Sequence, residues 1–381
     1  MRLTSLPDVP ALAQCFYSIK VPSANLYSKR SDFGQNRLRI YQDYSGYSYI
    51  LLFSLTFKKT AHVLFFRLFR VVIENGRSKF MTNSPVYLKR KHGVFPNLVL
   101  GTAGLGGVWG KIDFEESVET VLLALELGVK RLDTAPAYNE SEQIVGKALR
   151  QWNGPRPYVS TKVGRLKTDS AEQAIVNYKL DTMKASIQAS MERLNGIDLL
   201  FLHEPEMVPK PQIDQVIDFL LEQKSNGTIS EIGLGGIITE EYHDFIRQGI
   251  FDVIMTYNNL NACCLSGMVY DIPFFKRSGS VIYQGSPLHM GLLGDRFEQY
   301  QKNPPYWLSK TILDKAQMVK KLADYYELDL SALAHRFLLS VKEVDYLVLG
   351  PGNKEQLLTS LNDCKQGSLE KKLFDEIIDQ T

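Results

Sequence analysis

The chain has 381 residues, of which 44% are hydrophobic, and a net charge of only +2. This length suits one large domain or two smaller ones, and the composition excludes a disordered or fibrous protein. The charge is uneven: residues 1–91 carry a net charge of +11, and the rest of the chain carries −9. Because the main part of the chain is acidic, its composition does not favour nucleic-acid binding.

Membrane spans and metal sites are not expected. The most apolar stretches, 49–57 and 62–73, are cut by charged residues such as Lys58 and Arg67. Both are shorter than the roughly 18–20 apolar residues of a spanning helix. The four cysteines and six histidines lack metal-ligand spacing, and so few cysteines predict a reduced, intracellular protein.

Residues 1–80 differ from the rest of the chain. They are poor in acidic residues, rich in Arg, Ser and aromatic residues, and show no sustained period. Such a composition fits a mitochondrial targeting segment, and the basic stretch 62–73 also fits a membrane-surface patch. A third interpretation is that the native protein starts at Met81. We expect a poorly ordered, basic extension over 1–80 and a folded domain over 81–381.

From residue 97 onward, strand-like and helix-like segments alternate. Asp113, with Glu116 three residues later, predicts the N-terminus of the first helix, and Gly128 its end. Strands are predicted over 97–103, 130–135, 158–162, 197–203, 229–235, 252–256, 280–285 and 345–349. Later helices are predicted over 141–152, 178–194, 212–225, 239–248, 311–326, 331–340 and 353–362, with a less clear one near 263–277.

Eight such β/α units in about 270 residues predict an α/β fold, a closed (β/α)8 TIM barrel with a parallel sheet. The alternative is an open, doubly wound sheet. That fold binds dinucleotides through a G-x-G-x-x-G motif after its first strand. The segment GTAGLGG (101–107) does not have this spacing, so the barrel is favoured.

Three of the predicted strands end in ionisable residues. Asp133 lies near the end of the second strand and Tyr138 follows that strand, Lys162 ends the third, and His203 ends the fourth. Taken singly, such residues often cap a turn or pack in a core, but together at one mouth of a barrel they favour catalysis. Lys162 can lower the pKa of Tyr138, Asp133 can pair with Lys162, and His203 can orient a substrate oxygen. The set suits proton transfer at an oxygen while a cofactor carries hydride.

The sequence also resembles a known family. DTAPAYNESEQIVGKAL (133–149) resembles a signature of the aldo-keto reductases, and STKVGR (160–165) and LLFLHEP (199–205) resemble the lysine and histidine segments of that family. The resemblance covers residues 86–365. It implies a TIM barrel that binds a nicotinamide cofactor at its C-terminal mouth. The segment 86–98 resembles the hairpin that closes the barrel floor, which supports a native start at Met81.

Carried over residue by residue, the resemblance makes Tyr138 the general acid and base of the reaction. Lys162 and Asp133 become the pair that tunes the pKa of Tyr138, and His203 becomes the group that orients the substrate. Cofactor contacts are implied for Ser286, Pro287, Leu288, Gly291, Gly350, Gly352, Asn353 and Gln356.

The segment LGPGNKEQLLTSL (349–361) resembles the family's adenosine-binding loop and helix. NADP-preferring members carry a Lys at the position of Gly350 and an Arg at the position of Gln356, which hold the 2′-phosphate. Both charges are absent here. A phosphate without such partners loses strong charge-assisted hydrogen bonds, so NAD is expected over NADP. Lys354 could still reach a phosphate, which keeps NADP as the alternative cofactor.

Several positions depart from the better-known reductases of the family. Their Ser-Asn pair after the fifth strand, which holds the nicotinamide amide, is replaced by Gly235 and Gly236. Their Gln on the sixth strand falls on Met255, and their aromatic residue under the nicotinamide falls on Gly285. The nicotinamide contacts are therefore expected to differ, whereas the four catalytic positions are unchanged.

The segments TYNNLN (256–261), GSPLHMGLL (285–293) and PPYW (304–307) are similar to the L-galactose and D-arabinose 1-dehydrogenase branch of the family. This resemblance implies oxidation of the C1 hydroxyl of a free aldose, of the L-galactose, D-arabinose or L-fucose type, to the lactone. The alternatives are NADPH-dependent reduction of an aldehyde or pyridoxal, and a non-catalytic binding barrel. Candidate substrate contacts are Trp109, Asn258 and Asn259, since sugar sites combine polar groups with aromatic faces.

The expected partner is a small sugar or aldehyde, and the expected assembly is a monomer or weak dimer. We expect a cytoplasmic protein, or a mitochondrial one if residues 1–80 belong to the native chain.

Overall fold

The structure is a computed structural model of the chain. It describes residues 87–89, 95, 97–167, 175–268 and 270–381, together with five strands before residue 82. The chain divides into two compact units, Met1–Asn83 and Ser84–Thr381, and each is described here by itself.

The first unit contains an antiparallel sheet whose strands pair in chain order. The strands are β1 (Tyr27–Lys29), β2 (Arg39–Gln42), β3 (Ser48–Thr56), β4 (Phe65–Glu74) and β5 (Arg77–Met81). The division into an extension over 1–80 and a native start at Met81 stays a prediction.

The second unit contains a closed barrel of eight parallel strands, which confirms the predicted (β/α)8 fold. The barrel closes where the last strand pairs with the first, with Leu349 opposite Leu100. Its strands are β6 (Leu98–Gly101), β7 (Arg131–Asp133), β8 (Tyr158–Val163), β11 (Leu199–His203), β12 (Glu231–Gly235), β13 (Val253–Tyr257), β14 (Val281–Gly285) and β15 (Tyr346–Leu349). A small antiparallel pair follows β8 and consists of β9 (Arg165–Leu166) and β10 (Ile175–Val176).

The helices agree with most of the predicted ones. They are α1 (Phe114–Glu126), α2 (Ser141–Gln151), α3 (Leu180–Leu194), α4 (Ile213–Ser225), α5 (His243–Arg247), α6 (Asp271–Arg277), α7 (Phe297–Lys302), α8 (Lys310–Tyr325), α9 (Leu330–Ser340), α10 (Lys354–Lys365) and α11 (Lys371–Gln380). The sequence analysis missed α7 and α11. The apolar residues of α11 that are buried, Leu373, Phe374 and Ile377, follow a helical spacing that could have revealed it.

Two predicted helices are shorter than expected. The helix near 263–277 begins only at Asp271, because the Asn259 carbonyl accepts hydrogen bonds from the Gly267 N–H and the Ser266 hydroxyl and holds those residues in the preceding loop. The helix over 239–248 is a 3-10 turn at Glu240–Tyr242 followed by the short α5.

Local signals set the ends of α1 as predicted. The Asp113 carboxylate accepts the N–H of Glu116 at 3.0 Å, which satisfies one of the unpaired donors at the helix N-terminus. Gly128 follows the helix with a φ of +94°, a conformation that favours glycine.

Side chains fill the interior of the barrel. Near the N-terminal ends of the strands, the guanidinium of Arg131 lies 4.1 Å and 4.4 Å from the ring centroids of Tyr158 and Tyr346. Arg131 also donates a hydrogen bond to the Tyr283 hydroxyl at 3.0 Å. Because the interior is packed, the chemistry belongs at the C-terminal ends of the strands, which we call the mouth. The apolar interior cluster consists of Val99, Leu199, Phe201, Val253, Met255, Tyr283 and Val348.

Most of the hairpin predicted over 86–98 lies outside the described residues. Within the described part, Tyr87 forms an antiparallel bridge with Val341, and its hydroxyl donates to the Leu369 carbonyl at 2.9 Å. Among the helices that the structure describes, none is long and apolar enough to cross a membrane.

Candidate active site

Three strands of the barrel bring ionisable side chains to the same mouth. Asp133 is the last residue of β7, Lys162 lies one residue before the end of β8, and His203 is the last residue of β11. These neighbouring strands are parallel, with Asp133 opposite Ser160 and Lys162 opposite Phe201. The structure therefore brings together the strand-end residues that the sequence singled out.

Asp133 and Lys162 form a buried ion pair. The Lys162 Nζ lies 2.6 Å from Asp133 Oδ2, and the two side chains are 2% and 3% exposed. Lys162 also donates to the Thr134 carbonyl at 3.0 Å, and the Ser160 hydroxyl donates to Asp133 Oδ1 at 2.8 Å. Burial opposes the charge on Lys162, but Asp133 and then Tyr138 raise its pKa above the ordinary value. The ammonium group is therefore charged and fixed in place.

Tyr138 lies on the turn after β7, close to the loop that follows β6. A Cβ on Gly106 would lie 2.1 Å from the Tyr138 carbonyl oxygen, so only glycine permits this approach. The centroid of the Tyr138 ring is 4.8 Å from Lys162 Nζ and 5.7 Å from the centroid of the His203 ring, which it meets edge-on. Tyr138, Lys162 and His203 therefore form one group with the Asp133 carboxylate behind it.

The protonation of Tyr138 is set by two opposed effects. Burial raises the pKa of the phenol and the charge of Lys162 lowers it; the Asp133 carboxylate adds to the first effect, and a hydrogen bond from Lys162 adds to the second. The net result is a pKa above the ordinary value. Lys162 acts in the direction expected from the sequence, but burial outweighs it. Tyr138 is therefore a neutral phenol at neutral pH and becomes a phenolate only in alkaline solution.

His203 is a neutral imidazole. Burial, and then the positive charges of Lys162 and Arg165, hold its pKa well below the ordinary value. Its Nδ1 atom is buried and has no hydrogen-bond partner in the part of the chain that the structure describes. The Tyr178 hydroxyl donates to the carbonyl oxygens of His203 and Glu204 at 2.9 Å and 2.8 Å, which fixes this strand end. A neutral imidazole held in this way can form a hydrogen bond with an uncharged substrate oxygen.

The sequence analysis missed three charged residues beside this group. Arg165 Nη1 lies 2.6 Å from Glu204 Oε1, so these two form an ion pair next to His203. Glu206 Oε2 accepts the N–H of Ile237 at 3.1 Å. A signal was present, because the residues HEPE (203–206) place two carboxylates directly after the histidine.

The three candidate substrate residues lie in different surroundings. Trp109 is 52% exposed on the loop after β6. Asn258 directly follows β13 with a φ of +57°, and its buried Oδ1 has no hydrogen-bond partner among the described residues. Asn259 Oδ1 accepts a hydrogen bond from Gln284 Nε2 at 3.5 Å. Asn258 therefore has unused hydrogen-bonding capacity, and the role of all three in substrate binding stays a prediction.

Four of the predicted cofactor residues lie on the loop after β14. Pro287 is buried, and Leu288 packs against the main core. These contacts hold the loop in a tightly turned shape. Left-handed backbone conformations, with φ between +46° and +95°, occur at Ser286, His289, Met290 and Gly291.

The other four lie between β15 and the first turn of α10. A side chain on Gly350 would meet no atom within 4 Å, so this stretch of backbone faces open space. The Asn353 side chain accepts the N–H of Gln356 at 2.9 Å and caps α10. Gln356 Oε1 accepts the N–H of Gly352 at 2.7 Å, and its Nε2 donates to Asp295 Oδ2 at 3.1 Å. Gln356 therefore ties the start of α10 to the loop after β14.

These features fit a nicotinamide dinucleotide. The open backbone at Gly350 and the N-terminus of α10 suit phosphate oxygens. The unused Oδ1 of Asn258 and the Nδ1 of His203 leave hydrogen-bonding capacity at the mouth. The loops over 286–291 and 350–356 are the segments that would hold the cofactor. In the described residues, no group of three or more His, Cys, Asp or Glu side chains is arranged to hold a metal ion.

A barrel with this acid–base group at its mouth suits an oxidoreductase that moves a proton while a cofactor carries hydride, and comparison with known families gives the same class. Residues 97–379 match the model of the aldo/keto reductase family. This span includes the whole barrel and both loops. The chain therefore belongs to the aldo/keto reductase family and is an NAD(P)-dependent oxidoreductase.

Several characterised proteins are similar over most of their length. The L-galactose dehydrogenase of Arabidopsis thaliana is 28% identical over 294 residues, which is 73% of this chain and 88% of the relative. The D-arabinose 1-dehydrogenase of Saccharomyces cerevisiae is 28% identical over 285 residues, 70% of this chain and 82% of the relative. The NADH-specific methylglyoxal reductase of Escherichia coli is 26% identical over 285 residues, 68% and 86% respectively. The relatives thus include both sugar dehydrogenases and a reductase.

Solved structures show the same fold. A glycerol dehydrogenase from Gluconobacter oxydans has a TM-score of 0.62 and 24% identity, and covers 78% of this chain and 95% of its own. An aldo-keto reductase from Bacillus halodurans, in its holo form, has a TM-score of 0.63 and 22% identity, and covers 77% and 96%.

Removing one charge of the buried ion pair tests whether Asp133 compensates the charge of Lys162. Asp133→Asn leaves Lys162 charged and buried without its carboxylate, and we expect the free energy of unfolding to fall by about 3–5 kcal/mol in urea titrations. The double variant Asp133→Asn/Lys162→Met removes both charges and should recover most of this loss. Glu115→Gln, which breaks the exposed pair with Lys147, serves as a control with little effect. A single variant as stable as the parent would contradict a buried pair.

Proposed function

We propose that this protein oxidises the C1 hydroxyl of a free aldose, of the L-galactose, D-arabinose or L-fucose type, to the lactone, with NAD as the hydride acceptor. The proposal is carried by one observation: the Tyr138 phenol lies against Lys162, whose charge is maintained by buried Asp133. The names of two relatives, L-galactose dehydrogenase and D-arabinose 1-dehydrogenase, support this substrate class.

In this proposal, each side chain has one part in the proton transfer. A bound nicotinamide dinucleotide supplies the hydride acceptor. Tyr138, as the phenolate, takes the proton of the C1 hydroxyl, and Lys162 stabilises the phenolate before the proton arrives. Asp133 keeps Lys162 charged, and the neutral His203 forms a hydrogen bond with the reacting oxygen and orients it. The lactone carbonyl forms when the O–H and C1–H bonds have both been broken.

A second candidate function is the reduction of a small aldehyde. The specific observation in its favour is the raised pKa of Tyr138, because a neutral phenol can give its proton to a developing alkoxide. The similarity to an NADH-specific methylglyoxal reductase points in the same direction. Assays of aldose oxidation with NAD and of aldehyde reduction with NADH, on the same protein, separate the two functions by their kcat/KM.

Removing the hydroxyl of Tyr138 tests its role directly. Tyr138→Phe should lower kcat by about 10²–10⁴-fold, because proton transfer loses its acid and base, while the Kd for NAD stays within about twofold of the parent value. The measurement is NADH formation with a panel of free aldoses, together with NAD binding by fluorescence quenching. Tyr270→Phe, at a residue that is 66% exposed, is the matched control. Unchanged turnover in Tyr138→Phe would rule out this assignment.

The raised pKa of Tyr138 predicts opposite pH dependences in the two directions. Oxidation needs the phenolate, so kcat for oxidation should rise as the pH increases through the alkaline range. Reduction needs the phenol, so kcat for reduction should fall over the same range. Lys162→Met removes the charge that lowers this pKa and should move the oxidation profile to higher pH. The test is kcat in both directions between about pH 6 and 10. Parallel profiles for oxidation and reduction would show that another group controls the proton.

The cofactor preference follows from the contacts of Gln356. We infer that NAD is preferred over NADP, because Gln356 brings no positive charge and is hydrogen-bonded to the Asp295 carboxylate, which would repel a 2′-phosphate. An Arg at position 356 would lie beside this carboxylate and be partly neutralised by it.

This preference predicts non-additive effects on NADP binding. Gln356→Arg alone should strengthen NADP binding only a few-fold, and Gln356→Arg/Asp295→Asn should strengthen it by tenfold or more, on the order of a charge-assisted hydrogen bond. The measurement is the Kd for NAD and for NADP of the single and double variants. Glu298→Gln removes an exposed carboxylate three residues away and is the charge-matched control. Equal NADP affinities in the single and double variants would remove Asp295 from the explanation.

A further inference from the structure

The end of β12 offers no side chain to the mouth. Gly235 is its last residue and lies opposite His203 in β11, and Gly236 follows with a φ of +156°. A Cβ on Gly236 would lie 2.7 Å from Glu206 Oε2 and 2.7 Å from Pro205 Cδ. The place that a side chain of this strand end would take is therefore filled by the carboxyl group of Glu206.

Glu206 is held there by its neighbours. Its Oε2 accepts the N–H of Ile237 at 3.1 Å, and the nearby hydroxyl of Tyr242 donates to the Pro205 carbonyl at 2.9 Å and anchors the turn that carries Glu206. Burial raises the pKa of Glu206, while hydrogen bonds from backbone N–H groups, including that of Ile237, favour its ionised form. Arg165 forms its ion pair with Glu204.

The Glu206 carboxylate also acts on the centre of the mouth. Tyr257, the last residue of β13, is 42% exposed, and its pKa is raised by burial of part of the ring and then by the carboxylates of Glu206 and Glu204. Glu206 lies against Gly236, the preceding Gly235 is opposite His203, and the His203 ring centroid is 5.7 Å from that of Tyr138. The Glu206 carboxyl group therefore lies beside the strand ends that carry the catalytic group. A nicotinamide ring that exchanged hydride beside Tyr138 would lie next to these strand ends, and its carboxamide would need an acceptor for its N–H groups.

We propose that Glu206 is the hydrogen-bond acceptor for the nicotinamide carboxamide, a contact for which the glycines of β12 provide no side chain. This inference rests on the proposed use of a nicotinamide dinucleotide. A hydrogen bond from a neutral amide to a carboxylate is charge-assisted and stronger than one between two neutral amides. Glu206 also places a negative charge near the ring, which favours the oxidised, cationic nicotinamide over the reduced, neutral one.

The test compares two dinucleotides that differ only at this group. NAD carries the carboxamide, and 3-acetylpyridine adenine dinucleotide carries a methyl ketone that cannot donate a hydrogen bond. Dissociation constants are measured by fluorescence quenching for the full chain and for Glu206→Ala and Glu206→Gln. Glu240→Ala, at an exposed carboxylate in the turn after β12, is the matched control, and circular dichroism checks the fold of each variant.

The parent chain and Glu240→Ala should bind NAD about tenfold more tightly than the analogue, as a hydrogen bond to a charged group implies. In Glu206→Ala, the ratio of the Kd for the analogue to the Kd for NAD should fall to about one. Glu206→Gln keeps an acceptor oxygen, so it should still bind NAD somewhat more tightly than the analogue. Because it loses the negative charge, it should no longer bind NAD in preference to NADH.

Two results would overturn the proposal and are distinguishable from each other. If Glu206→Ala leaves the ratio unchanged and raises only the KM for the aldose, Glu206 contacts a sugar hydroxyl instead. If the parent chain binds neither dinucleotide, the proposed function fails, and this inference fails with it.

Discussion

The site depends on a positive charge that is kept inside the protein. The ammonium group of a lysine side chain that is only 2% exposed would lose its proton or destabilise the fold unless a carboxylate compensated it. Asp133 provides this compensation, and the Thr134 carbonyl and Ser160 hydroxyl complete the hydrogen bonds of the pair. After burial, this charge is the largest influence on the pKa of Tyr138 and on that of His203, and it lowers both.

The parallel strands make such a pair possible. Neighbouring strands end side by side, so a residue near the end of β7 and one near the end of β8 meet without any contribution from a flexible loop. The same arrangement places His203 on the next strand. The barrel thus positions the charged groups through its backbone, and the loops are left to determine which cofactor and which substrate bind.

This division explains what the sequence could predict. The strand ends were predictable, because alternating β/α segments identify the barrel and the residues Asp133, Lys162 and His203 end their strands. The direction of the pKa shift of Tyr138 could not be predicted, because the burial of its ring depends on the packing of the whole mouth. Pairings between distant loops, such as Asp295 with Gln356, were also hidden, since no local pattern connects residues 61 positions apart. Glu206 is visible in the sequence as part of HEPE (203–206). Its position against Gly236, which has no side chain, could be seen only in the folded structure.

At the opposite ends of the strands from the mouth, Arg131 contacts Tyr158, Tyr346 and Tyr283. A guanidinium between two tyrosine rings binds strands together across the barrel interior, far along the strands from the loops of the mouth. Insertions or substitutions in the loops of the mouth therefore leave the contacts of Arg131 with these tyrosine rings unchanged. A scaffold built in this way can acquire new substrate loops without renewing the contacts that keep the barrel closed.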